Sequence, residues 1–224
     1  MSRTFSLLLA AAACLALAGC SQSNDATAER APAAVKDEHA PDQFNVTFDT
    51  SKGPVVVEMH RDWSPNGVDH FYTLVKTHFY DGSRFYRVLH DFVAQFGIAA
   101  DPKTNAIWAN TPIPDDRVHQ SNVRGTLTYA ATEMPNSRTT QLFFNLGNNS
   151  MLDSRGFAPI GKVVSGMDAV DALYNGYGET APRGPGPDAD KIAQQGNQYL
   201  QDHFPRLDYV KTVTIEGAPA EQKK

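Results

Sequence analysis

Thiols are nearly absent. The 224 residues contain two cysteines, Cys14 and Cys20, and from residue 21 onward there is none, so no disulfide can form within that remainder. Clusters of lysine and arginine are missing as well. Twenty basic residues stand against 25 acidic ones, a formal charge of -5, and nowhere do the basic ones gather. That removes the electrostatic footprint of a nucleic-acid binder. The seven histidines show no H-x-x-x-H or H-x-H spacing, so no metal centre is expected. No G-x-S-x-G marks a hydrolase, and the G-Y-G-E of residues 176–179 lacks the Gly-Lys-Ser/Thr that would complete a phosphate loop. The one long apolar run, residues 7–18, is too short to span a bilayer comfortably.

That run instead has the length of the apolar segment of an export signal, and Arg3 supplies the positive charge in front of it. It closes on L-A-G-C, residues 17–20, which resembles the lipobox of bacterial lipoproteins. The resemblance implies cleavage before Cys20 and lipid on its sulfur and on the new amino terminus. Anchoring by acyl chains needs no basic patch. The alternative is an unlipidated signal peptide that happens to end in Cys. The expected organisation is a lipoprotein signal peptide at 1–19, lipidated Cys20 with a flexible tether over 20–41, one folded domain at 42–217 and a disordered tail at 218–224. The tether reading rests on a composition rich in Ala, Ser, Pro and charge with no apolar periodicity. With 41% hydrophobic and 20% charged residues the chain can bury one sizeable core, whereas two tight domains would be a squeeze.

Within the folded part, Phe44, Val46 and Phe48 alternate with polar residues, which predicts a half-buried strand. A turn at 51–53 and a second strand over 54–60 make a hairpin. Ser64 is placed to cap a helix with Pro65 at its first position, and Val68, Phe71, Tyr72 and Val75 form one apolar stripe. Residues 99–124, with three prolines, read as loop. Short strands are expected at 126–131 and 141–146. Another is expected at 157–164, where Pro159 points to an edge or a bulge. A second helix over 166–174 is followed by a Gly/Pro-rich loop at 175–187, a weak helix over 189–203 containing Gly196, and a last strand at 207–215.

One stretch stands out, F-Y-R-V-L-H-D-F-V-A-Q-F-G at 85–97. Arg87 sits among Phe85, Tyr86, Val88 and Leu89, and Gln95 among Val93, Ala94 and Phe96. Such polar groups are costly to bury unless paired or functional. Both are read as pointing into an apolar groove that handles a peptide. Taken with F-Y-D-G-S-R-F-Y-R-V from Phe79, F-x-x-Q at 92–95, S-x-T-T-Q-L-F-F-N at 137–145, Leu152-Asp153 and G-K-V-V-x-G-M at 161–167, the chain resembles the cyclophilins, the cyclosporin-sensitive peptidyl-prolyl cis-trans isomerases (EC 5.2.1.8). Jointly these blocks are specific, and they run over about residues 44–215.

The resemblance implies a mainly β fold: a closed eight-stranded antiparallel β-barrel capped by two α-helices, here with a C-terminal loop and helix excursion over 175–203. Carried over by position, Arg87 matches the catalytic arginine and Gln95 the glutamine that holds the substrate backbone. Phe92, Val93, Phe143 and Leu152 match the hydrophobic floor under the proline ring. Ala130 and Ala131 match the strand segment that pairs with the substrate backbone. Three positions depart from the family. Met151 replaces a large aromatic of the drug pocket, which implies weak cyclosporin binding. Phe157 replaces a pocket histidine. Phe96 replaces the usual Gly and is expected to tighten or block part of the groove.

Rotation about an X-Pro bond breaks amide resonance, a barrier of roughly 18–20 kcal/mol, and makes or breaks no covalent bond. The enzyme has only to stabilise the twisted amide more than the planar one. No cofactor is required. The implied partners are proline-containing segments of folding proteins, met by a monomer on the periplasmic side of a bacterial membrane, with the outer membrane as the guess. The alternative is a catalytically weak cyclophilin-like module that binds Pro-containing segments of a partner.

Overall fold

The computed structural model describes residues 36–217. The expected signal peptide, Cys20, the tether as far as residue 35 and the 218–224 tail lie outside the described residues. The end of the tether segment does not hang free. Ala40 is fully buried, its N–H donates to Asp69 Oδ1 (3.0 Å), the Glu38 N–H donates to Thr73 Oγ1 (2.7 Å), and Asp37 lies 2.8 Å from buried His70 Nδ1. The packed domain therefore reaches back at least to Asp37, into the segment assigned to the tether.

The alternation around Phe48 becomes β1 (Gln43–Thr50), folded back on β2 (Gly53–His60) with Phe48 opposite Val55. The apolar stripe forms α1 (Pro65–Lys76), with Val68, Phe71 and Val75 buried. Ser64 does not cap it. Its hydroxyl donates instead to Asp116 Oδ2 (2.6 Å), and the Asp116 carboxylate accepts from the first-turn N–H groups of Asn66 (3.2 Å) and Gly67 (2.9 Å). A carboxylate from a distant loop thus serves the orphan donors of the helix N-terminus. Arg138, 2% exposed, closes this network by donating to Asp116 Oδ2 (3.0 Å) and Ser64 Oγ (3.2 Å).

The remaining strands are β3 (Arg87–Val88), β4 (Val93–Phe96), β5 (Thr126–Tyr129), β6 (Leu142–Asn145), β7 (Pro159–Ser165) and β8 (Val210–Ile215). They form one antiparallel sheet in the order β3-β4-β6-β5-β7-β2-β1-β8. Pro159 lies in an internal strand, at a register shift opposite Thr128, so the bulge reading applies and the edge reading does not. The sheet curls into a half-barrel that is open, which corrects the expected closed barrel. β3 has only two residues, and the chain just before it meets the start of β8 through three backbone hydrogen bonds and the isolated Arg84–Tyr209 bridge. No ladder joins the two edge strands.

Helices are more numerous than the two capping helices and the weak 189–203 helix expected: the described residues hold five α-helices. Residues 99–124 contain α2 (Pro102–Trp108), whose first turn is capped by the Asp101 carboxylate accepting from Lys103 N (3.1 Å). The second expected helix shortens to α3 (Met167–Asp171), and the 189–203 helix splits into α4 (Ala189–Gln195) and α5 (Asn197–His203). Gly196 makes the break at φ 62°, where an added methyl would lie 2.3 Å from the Ala100 carbonyl oxygen. Ile192, Tyr199 and Leu200 of α4 and α5 pack with Tyr86, Ile98 and Leu207 in a small core of their own.

The main core fills the inside of the curl. Phe96 belongs to it, fully buried and stacked on Phe144 with centroids 5.6 Å apart. It faces away from the groove and neither tightens nor blocks it, contrary to expectation. The period of two along β4 is the reason: with Gln95 outward, Phe96 must point inward.

Candidate active site

The site grows from the outer face of the sheet. Arg87 of β3 pairs in register with Gln95 of β4, which pairs with Phe143 of β6. Cross-strand partners share a face, so the three side chains stand in a row. Next to them Val93, Phe143 and Leu152 are buried against one another, with Phe92, Ala130 and Phe157 packed on their rim. The result is a groove of about 280 Å³ with an apolar floor and a polar edge.

Buried amides hold the floor. Asn149 Nδ2 donates to the Phe92 carbonyl (2.7 Å) and to Asn145 Oδ1 (2.7 Å). Asn122 Nδ2 donates to the Phe157 carbonyl (2.7 Å) and to Asp153 Oδ1 (2.8 Å). The two aromatic walls are thereby fixed through their backbones, and the pocket is formed before any ligand arrives.

The polar edge is a chain of side chains. Arg87 Nη1 donates to Gln95 Oε1 (3.2 Å), Gln95 Nε2 donates to Gln141 Oε1 (3.2 Å), and the Tyr86 hydroxyl donates to that same oxygen (2.5 Å). Burial pushes the Tyr86 phenol well above its usual range, so it stays a donor. The other side of Arg87 is occupied by Glu179: Nε donates to Oε1 (2.6 Å) and Nη2 to Oε2 (2.8 Å). The Arg87 guanidinium, together with N–H and O–H donors from Thr180, holds the Glu179 carboxyl down to about 2 despite partial burial. It is therefore anionic throughout the neutral range.

Nine of the ten groove residues expected from the sequence line this one cavity. Ala130 and Ala131 do so just beyond the end of β5. Met151 does not. It lies in the 3-10 turn Ser150–Arg155, 59% exposed, and because Leu152 turns inward its neighbour turns out. Sequence reasoning missed Tyr86 and Gln141, both inside the motif blocks, and Glu179, Thr180 and Arg183, from the excursion, which also line the groove. Among the described residues no group of three or more His, Cys, Asp or Glu is placed to hold a metal ion, and no helix is long and apolar enough to cross a membrane.

A family model described as "Cyclophilin type peptidyl-prolyl cis-trans isomerase/CLD" matches residues 45–196. The chain is 35% identical over 143 residues to a peptidyl-prolyl cis-trans isomerase of Acinetobacter baylyi, covering 61% of this chain and 75% of that protein. It is 32% identical over 136 residues to peptidyl-prolyl cis-trans isomerase B of Escherichia coli, covering 57% and 82%. Among solved structures, the cyclophilin AquaCyp293 of Hirschia baltica superposes with a TM-score of 0.60 at 19% identity, covering 84% of this chain and 79% of that one. A cyclophilin type peptidyl-prolyl cis-trans isomerase of Cryptosporidium parvum gives 0.57 at 19% identity, over 79% and 99%. At such identity these two speak for the fold alone.

Proposed function

The chain belongs to the cyclophilin-type peptidyl-prolyl cis-trans isomerases, and from that premise we propose that Arg87 lowers the barrier to X-Pro rotation over the apolar floor of this groove. In the twisted amide the proline nitrogen recovers its lone pair and becomes an acceptor. A fixed guanidinium N–H aimed at it is stabilising only at the transition state. The proline ring sits on Val93, Phe143 and Leu152, between Phe92 and Phe157. Gln95 and the backbone at Ala130 and Ala131 hold the flanking peptide, leaving the acyl side free to turn.

The observation that carries this reading is the register pairing of Arg87 with Gln95 beside the buried Val93, Phe143 and Leu152. Among the described residues three of the five guanidinium N–H groups find acceptors, one on Gln95 and two on Glu179, so donors remain for a ligand. Loss of one such transition-state donor lowers turnover by about 10²–10³. A protease-coupled assay on a proline peptide should show that drop in Arg87→Ala; an unchanged rate would sink the assignment.

The clients are assigned to the bacterial envelope, reached by a lipid on Cys20 and a tether. The support is the positive charge, apolar run and L-A-G-C of the first twenty residues. Palmitate labelling of the full chain in a bacterial host, lost in Cys20→Ala, is the expected result; labelling that persists would remove the anchor.

A further inference from the structure

We propose that Glu179 is a positioning residue for the isomerisation, locking the plane of the Arg87 guanidinium so that its uncommitted N–H groups face the bound proline. The inference rests on Arg87 being the catalytic arginine.

Three observations carry it. The first is geometry. Both carboxylate oxygens meet Arg87 side-on, through Nε and Nη2, an arrangement that fixes the orientation of the plane as well as its distance. With Nη1 on Gln95, the guanidinium is held from two sides. Among the described residues one N–H on Nη1 and one on Nη2 have no acceptor, and their direction is set by the pair. A long side chain on a two-residue edge strand would otherwise sample many rotamers, and small misplacement of a catalytic group is costly.

The second is that the loop is shaped around Glu179. The Thr180 N–H and hydroxyl both donate to Oε1, at 2.9 and 3.2 Å, which orients the carboxylate independently of Arg87. The Gly186 N–H donates to the Glu179 carbonyl (2.8 Å) and the Gly184 N–H to the Thr180 carbonyl (3.0 Å), turning the chain back over the residue. A methyl at Gly184 would lie 2.4 Å from the Glu179 carbonyl oxygen and 2.7 Å from its Cβ, and one at Gly186 would lie 2.6 Å from that same oxygen. Neither position accepts a side chain without displacing Glu179.

The third is the foundation. The loop runs into α4, whose Ile192 packs with Tyr199 and Leu200 of α5 on Tyr86, the residue before Arg87. The 175–203 excursion thus acts as a bracket that delivers one carboxylate to one arginine.

The test compares kcat and KM in a solvent-jump protease-coupled assay, with thermal unfolding as the check on folding. Glu179→Ala should lower kcat by about 10- to 100-fold with KM changed less than about threefold. Glu179→Gln, which keeps an acceptor, should fall between. Gly184→Ala should behave like Glu179→Ala without touching the carboxylate. In an Arg87→Ala background, Glu179→Ala should have no further effect, since a positioning residue acts only through the group it positions. The inference is overturned if Glu179→Ala turns over as fast as or faster than the parent, the latter marking an inhibitory counter-charge. It is overturned equally if Glu179→Ala costs the same factor with or without Arg87. The two levels separate cleanly: an active Arg87→Ala removes the catalytic assignment, whereas an inactive Arg87→Ala beside a normal Glu179→Ala removes only this one.

Discussion

Phe96→Ala should cost about 3–5 kcal/mol of stability and leave the turnover of the folded enzyme unchanged. Phe96 is fully buried, and full burial of a side chain of this size is worth about 1.5–3 kcal/mol in transfer alone. Its ring also meets four others: Phe48 edge-on at 5.8 Å, Tyr80 at 5.8 Å, Phe85 at 5.0 Å and Phe144 stacked at 5.6 Å. Such pairs contribute roughly 0.5–1.5 kcal/mol beyond area. Phe48 and Phe144 stand on the separate, fully paired strands β1 and β6, so the cage cannot collapse onto the vacated space, and a cavity penalty is added. Because the side chain points away from Gln95, the groove should not register the loss. Urea denaturation should show a lower midpoint at unchanged slope, and melting should fall on the order of 10 °C. The isomerase assay, run where circular dichroism reports a folded chain, should give the parental kcat/KM. A tenfold drop in kcat/KM at full foldedness, or undiminished stability, would refute the inward placement of Phe96.

Two further outcomes follow from the charged pairs. Asp116→Ala should destabilise by about 3 kcal/mol in urea denaturation, because it leaves buried Arg138 with only the half-exposed Asp115 carboxylate at 3.6 Å and the Pro114 carbonyl as acceptors and frees the first-turn donors of α1. Replacing both partners, as Asp116→Leu with Arg138→Met, should recover much of that loss. For Glu179 the sign is that of a depressed carboxylate: its folded value of about 2 lies below the ordinary 4.5, so the stabilisation is complete above the ordinary value and is lost as pH falls toward the folded one. The shift corresponds to roughly 3 kcal/mol, less solvent screening of a side chain 27% exposed. The stability gap between parent and Glu179→Gln should therefore be flat from neutral pH down to about 5 and close progressively below it; a gap that persists unchanged at pH 2.5 would contradict the pairing.

Much of the fold was legible because it is written locally. Strand alternation around Phe48 and the stripe of α1 survive because each is a repeated pattern over several residues. α2 contradicts the loop expected over 99–124: Pro102, counted there with Pro112 and Pro114 as a loop residue, stands in the first turn behind the capping Asp101, where proline is compatible with a helix. Phe96 is a sharper case. Its departure from the family pattern drew attention to the groove, although the same alternation that turns Gln95 outward turns Phe96 inward. Met151 fails for the companion reason: a 3-10 turn presents neighbouring side chains in different directions, so adjacency to Leu152 does not bring it to the pocket.

What the sequence could not show are contacts with no local signature. Ser64 carries the composition of an N-cap and Asp116 has nothing nearby to mark it, yet the distant carboxylate serves the helix because Arg138 holds it there. Glu179 is the same kind of residue with more at stake. Ninety-two positions separate it from Arg87, and its surroundings, G-Y-G-E-T, carry no period, cap or motif. The groove therefore has more than one source. Strand parity puts Arg87, Gln95, Val93 and Phe143 on one face, whereas Leu152, which completes the floor from a 3-10 turn, was indicated by the family resemblance alone. The orientation of the guanidinium comes from a bracket whose glycines and small core make sense only once the chain is folded, and that is where this enzyme can differ in rate from relatives sharing every groove motif.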